Sequence, residues 1–238
     1  MIFQKKLIKC QDPENQLNIL RDFGAIKITV KKDSESYKDI FKKAKSLSLE
    51  VSSASAKESA LSRNEKRLIT DSFGGLLAEK GWLEYINSRF DDIATETQFQ
   101  SASNQIDIKL TNGELIEVRS SFIRNGVKFG ICNKLYNFKN IGPYSNSIKI
   151  GEIQKDLYCG VLFETSKGNL LDDDEVIFWL VGSSTWDMMI NLGIDTELNA
   201  DDVIALSPGK YKVVYYKDSM DLMQFNEYLV SKGYSIKK

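Results

Sequence analysis

Asp107, Glu117 and Arg119 fall within residues 104–121, NQIDIKLTNGELIEVRSS, at a spacing that suits metal-assisted or anion chemistry. Ile106, Ile108 and Leu110 alternate with polar residues, and so do Ile116 and Val118, the period-two pattern of a half-buried hairpin. The turn is Thr111-Asn112-Gly113, and its length decides which side chains meet. A two-residue Asn-Gly loop would pair Leu110 with Leu115 and set Asp107 opposite Val118. A three-residue loop closed by a left-handed Gly113 pairs Leu110 with Glu114 and sets Asp107 opposite Glu117. Only the second keeps Gln105, Asp107, Glu117 and Arg119 on one face and Ile106, Ile108, Ile116 and Val118 on the other. It is the register expected here. Carboxylates directly across two strands repel, so the pair calls for a cation between them. Arg119 is one candidate. Mg²⁺ is another, since it takes one or two carboxylates together with phosphate and water. The plainer reading is a solvent-facing hairpin with ordinary surface charges.

The elements that would position this hairpin begin upstream. Residues 67–90 read as a long helix with an apolar row at Ile69, Phe73, Leu76, Leu83 and Ile86. Glu79 falls in that row, three after Leu76 and four before Leu83, and a carboxylate on a buried face is costly unless paired or metal-bound. Glu84 lies off the row and reads as solvated.

A helical Glu79, Asp107 and then Glu117-Val118-Arg119 in the next strand resemble the PD-(D/E)xK, or restriction-endonuclease-like, nuclease core over roughly residues 65–190. The resemblance implies an α/β fold, α-β-β-β-α-β, with a central mixed β-sheet flanked by helices. It also implies Mg²⁺, with Mn²⁺ as substitute, on Glu79, Asp107 and Glu117, DNA as substrate, and a restriction or defence endonuclease acting as a homodimer. Two positions depart from the pattern. Gln105-Ile106 stand where the family often has Pro, and Arg119 stands where it usually has Lys. Arginine stays protonated and cannot be a base, but it can clamp a phosphate and stabilise charge in phosphoryl transfer. Two other readings stay open: a nuclease-like protein that binds nucleic acid without cutting it, and a structural α/β protein in which Glu79 pairs with Arg119.

Between Glu117 and Glu152 there is no acidic residue, whereas Arg119, Arg124, Lys128, Lys134, Lys139 and Lys149 all occur there among aromatic residues. In a chain of net charge −1 that asymmetry is the footprint expected of a phosphate-binding surface, and the plainer reading is core aromatics with the lysines on an exposed face. Residues 140–146, with Tyr144 and Asn146, read as a turn-rich loop placed to enter a groove.

With 238 residues the chain has room for one large domain, or for one domain with a small extension. The expected division is an N-terminal α+β extension, 1–62, and a nuclease-like domain, 63–238. In the extension, 24–32 read as a strand and 35–47 as a helix with Tyr37, Ile40, Phe41 and Ala44 inward. Residues 49–51 read as a possible short strand, and Lys42, Lys43 and Lys45 as solvated surface. The absence of histidine removes His-based nucleophiles and His metal sites, which leaves carboxylate–metal chemistry as the accessible hydrolytic route. Three widely spaced cysteines, Cys10, Cys132 and Cys159, indicate neither a disulfide framework nor zinc. With no apolar signal region in the first residues, a cytoplasmic setting is the default expectation. Downstream, 157–164 and 175–181 read as strands buried on both faces. A short helix capped by Ser or Thr follows at 186–192, then a strand at 211–216 and a terminal helix at 220–232. The acidic triplet Asp172-Asp173-Asp174 reads as a solvated loop.

Overall fold

The computed structural model describes residues 1–11, 19–50, 65–97, 106–123, 125–132, 138–145, 152–198 and 209–237. A seven-stranded mixed sheet forms its middle layer. Its strands are β1 (Ile2–Gln11), β2 (Ile19–Lys31), β3 (Ala94–Glu96), β4 (Ile108–Leu110), β5 (Leu115–Phe122), β7 (Leu157–Phe163) and β8 (Glu175–Thr185), in the order β1-β2-β8-β7-β5-β4-β3. Every neighbouring pair is antiparallel except β5 and β7, which run parallel with Ile116 beside Leu157 and Glu117 beside Tyr158. A parallel pair needs a crossover, and here it carries α3 (Val127–Cys132) and β6 (Lys139–Tyr144).

One sheet face carries three helices, α1 (Glu35–Glu50), α2 (Glu65–Arg89) and α5 (Leu222–Ser231). Tyr37, Ile40 and Ala44 of α1 recur at helical spacing and pack into the same core as Phe73, Leu77, Trp82 and Ile86 of α2 and Phe225 of α5. The alternate residues of the central strands, Ile28, Ile116, Cys159 and Phe178 among them, meet these helices from below. Asp221 caps α5: its carboxylate accepts from Met223 and Gln224 N–H, and the Gln224 side chain accepts from its backbone N–H. The opposite face carries α3, α4 (Trp186–Asn191) and a small antiparallel sheet of β6, β10 (Gly209–Tyr215) and β9 (Ile194–Leu198). The Thr185 side chain caps α4 by accepting from Met188 N–H at 3.1 Å.

Several sequence expectations are corrected. The first residues form β1, which with β2 extends the central sheet past β8, so the N-terminal segment shares the sheet and the core; residue 62, the expected boundary, lies outside the described residues. Leu49 is in α1 rather than in a strand. Residues 139–144 form strand β6, with Asn140 fully buried and donating to Tyr158 O and Ser184 Oγ, instead of an exposed loop. Cys10 and Cys132 are joined by a disulfide, and Cys159 is a buried free thiol. Their separation by 122 residues hid the pairing, because only the return of α3 alongside β1 brings them together. Among the described residues no helix is long and apolar enough to cross a membrane.

Candidate active site

Asp107 and Glu117 face each other because the hairpin takes the three-residue loop. Leu110 N–H donates to Glu114 O and Gly113 N–H to Leu110 O, each at 2.9 Å, with Gly113 at φ +96°. Ile108 then pairs with Ile116, and the next position outward sets Asp107 against Glu117. The pleat sends Ile108, Leu110 and Ile116 into the helix-covered core and Glu117 to the other side, while Asp107, at the strand end, also borders a cavity under the helices. Both acidic residues are buried, each only 7% exposed. Val118 N–H donates to Asp107 Oδ2 at 2.7 Å and holds that side chain at the end of its strand.

Two cations meet Glu117. Arg119 makes an ion pair with Oε1, and the ammonium of Lys155 lies 3.0 Å from Oε2. Lys155 is 2% exposed and also reaches Glu152 Oε1 at 3.5 Å. Glu152 Oε2 in turn accepts from Tyr144 N–H at 3.2 Å, and the Tyr144 ring packs on Tyr211 at 4.3 Å. Burial opposes the charge on Arg119, but the Glu117 carboxylate outweighs it and raises the arginine pKa further, so this side chain is a fixed cation. Lys155 carried no periodicity or motif in the sequence. Its only mark was its place two residues ahead of a continuous apolar strand, and the parallel register of β7 on β5 is what delivers it to Glu117.

Glu79 approaches from the helix layer. The fully buried stripe of α2 runs through Phe73, Leu77, Gly81 and Tyr85, so Leu76, Glu79 and Leu83 form its half-buried flank and not its centre. That offset lets the Glu79 carboxylate reach a small cavity of about 20 Å³, room for roughly one water. Asp107, Glu96 of β3, Lys43 of α1 and Lys80 share its walls. Asp107 therefore belongs to both halves of the site, facing Glu117 across the hairpin and Glu79 across the cavity. Burial first, and the Glu117 charge second, push its carboxyl up to about 6, against the pull of Val118 N–H, Arg119 and Lys155. Burial, then Asp107, then Glu96 push Glu79 well above the usual carboxylate range. Glu96 was not singled out in the sequence; strand β3 is three residues long and offers no pattern of its own.

The donor chemistry at the cavity fits a hard divalent cation. The buried Asp107 and the half-buried Glu79 carboxylates repel each other there, and a bound cation would remove the penalty that raises both pKa values. Glu117 is less open to one, since Arg119 and Lys155 already neutralise it. Among the described residues no three acidic, histidine or cysteine side chains are grouped closely enough to hold a metal ion.

Of the cations expected to meet nucleic acid, Arg119 is tied to Glu117, Lys128 is exposed on α3, and Lys139 sits 5.5 Å from the Tyr215 ring centre. Tyr144 is half-buried beside Glu152. Arg124, Lys134, Asn146 and Lys149, as well as Gln105, lie outside the described residues. No family model matches the chain, and neither the curated proteins nor the solved structures contain a match to it.

Proposed function

We propose that the protein is a metal-dependent DNA endonuclease of the PD-(D/E)xK type, hydrolysing phosphodiester bonds in a restriction or defence role. The observation that carries this reading is the cavity shared by Glu79 and Asp107, with Glu117 opposite Asp107 across the hairpin and Arg119 and Lys155 paired to Glu117. The succession α2-β3-β4-β5-α3-β6-β7, with β7 parallel to β5, supports it as well.

Glu79 and Asp107 would hold Mg²⁺ or Mn²⁺ between them. When bound, that ion supplies Lewis-acid polarisation of the scissile phosphate. Asp107 is kept in place by Val118 N–H, so its carboxylate is oriented before any ligand arrives. Glu117, fixed by two cations, is oriented to accept a proton or a water hydrogen bond with little freedom to swing away. Arg119 keeps its charge at every accessible pH and, with Nε and Nη2 buried beside Glu117, would meet a phosphate oxygen only through Nη1. Lys155 is too deep to meet DNA and works through Glu117 as a positioning residue.

Cleavage of mixed-sequence plasmid and genomic DNA, methylated and unmethylated, with Mg²⁺ or Mn²⁺ tests the reading. Wild type should give fragments, and Asp107→Ala and Glu117→Ala should each lose activity by about 100-fold or more, the order of loss for a transition-state electrostatic partner. The neutralisation of Glu117 by Arg119 and Lys155 favours one second reading, a nuclease-like protein that binds nucleic acid without cutting it. Salt-sensitive DNA retention with no cleavage in any metal would select it.

A further inference from the structure

We propose that Lys43 of α1 is the phosphate-binding cation at the mouth of the carboxylate cavity, and that Glu96 is the counter-ion it gives up when DNA arrives. The inference rests on the nucleic-acid reading above and adds to it a residue from the N-terminal segment. Lys43 Nζ donates to Glu96 Oε1 at 2.9 Å and to Oε2 at 3.2 Å, and both residues line the cavity that Glu79 and Asp107 share. The two side chains keep 58% and 45% of their surface in solvent, so the pair is weakly held and within reach of a large ligand.

The other cations near the acidic residues are already committed. Arg119 and Lys155 both serve Glu117, and Lys155 is sealed from solvent. Lys80, which also lines the cavity, pairs with Glu84 of its own helix at 3.7 Å. A phosphodiester brought toward Asp107 and Glu79 adds a negative charge to a wall that already holds three carboxylates, Glu96 included. Some cation has to meet it there, and of the described lysines lining the cavity Lys43 is the more exposed, at 58% against 39% for Lys80. An ammonium group suits the task, because as a compact point charge it can exchange one oxyanion for another without a fixed fork geometry.

The support beneath Lys43 is firm. Ile40 and Ala44, its neighbours on α1, are buried, and Tyr37 stacks edge-on against Phe73 of α2 at 4.8 Å. Its backbone is therefore carried by a helix docked on α2, while its side chain stays free to choose between carboxylate and phosphate. This is the reason a lysine from the first 50 residues can act at a site built by residues 79–117.

The test is DNA affinity in chelator, read by fluorescence anisotropy across a salt series, so that cleavage and metal loading play no part. Wild type, Lys43→Ala, Glu96→Gln and the exposed neighbour Lys42→Ala are compared. The expected result is a loss of about 5- to 20-fold for Lys43→Ala with a salt slope reduced by about 1. Glu96→Gln should move the other way, tightening binding several-fold, and Lys42→Ala should change little. Wild-type affinity and slope in Lys43→Ala, or equal losses in Lys42→Ala and Lys43→Ala, would overturn the assignment while the nuclease reading stands. Wild-type protein that does not retain DNA at all would overturn the nucleic-acid reading and this inference with it. A Lys43→Arg variant that restores the slope shows that the loss is one of charge and not of folding.

Discussion

Asp107 holds a carboxyl whose pKa is raised from 3.8 to about 6, and that makes its effect on stability pH-dependent with a definite sign. Below about pH 4 it is protonated in both the folded and unfolded chains, and its contribution is fully present. As pH rises toward 6 the unfolded chain ionises first, so stability on the order of 3 kcal/mol is lost across that window. Asp107→Asn keeps an acceptor for Val118 N–H and has no charge to bury. In chelator it should melt higher than wild type at pH 8 and show a flatter stability profile between pH 4 and 6. Adding Mg²⁺ at pH 8 should raise the wild-type Tm and leave the variant unmoved, because only a ligand bound by the native state stabilises it. A variant less stable than wild type at pH 8 would reject this account of the site's electrostatics. Lys155 offers a second check at this scale. Lys155→Met leaves Glu117 and Glu152 buried without their shared ammonium and should cost about 3–5 kcal/mol in a denaturant melt.

At the scale of elements, the site depends on how closely α2 lies on the sheet. Gly81 is the contact point: a Cβ there would come within 2.7 Å of Phe178 Cε2 and 3.1 Å of Ile28 Cδ1. Those rings and methyls are packed on all sides, so the helix and not the side chain would have to give way. Gly81→Ala should destabilise by about 1–3 kcal/mol despite alanine's better helix propensity, and should weaken cleavage more than global stability explains, since the same shift withdraws Glu79. A stabilised variant in thermal melts would show that the gap accommodates a methyl. The length of α2 was readable from its apolar spacing, yet its inward face was displaced by one position. A helix exposes a broad apolar sector, and small residues such as Gly74, Ala78 and Gly81 mark the true contact line without adding to the hydrophobic count.

Over the whole molecule, the Cys10–Cys132 disulfide ties the outermost strand of the sheet to the end of α3 on the crossover. It closes a loop of 122 residues, and its removal by reduction or by Cys10→Ser should lower stability by about 2–4 kcal/mol, or roughly 4–16 °C in Tm. Intact-mass measurement before and after reduction under denaturing conditions, expecting a gain of two hydrogens, checks that the bond is present. An unchanged Tm after confirmed reduction would show that β1 and α3 hold each other without it. The same closure keeps α3 of the crossover packed against the sheet face opposite the three large helices.

What the chain determined by itself was local: the hairpin with its three-residue turn, the facing of Asp107 and Glu117, the Thr-capped helix α4 and the apolar strands β7 and β8. Turn chemistry and side-chain alternation act over a few residues, so they can be read without knowing the rest of the fold. Tertiary structure alone decided the partners. Lys155 reaches Glu117 because β7 lies parallel to β5, Lys43 reaches the Glu79 cavity because α1 docks on α2, and Cys10 meets Cys132 because the N-terminal hairpin joins the sheet. Each of these contacts spans from about 40 to more than 100 residues of chain. Their physical cause is the packing of whole elements, which leaves no periodic trace at the residues that finally touch.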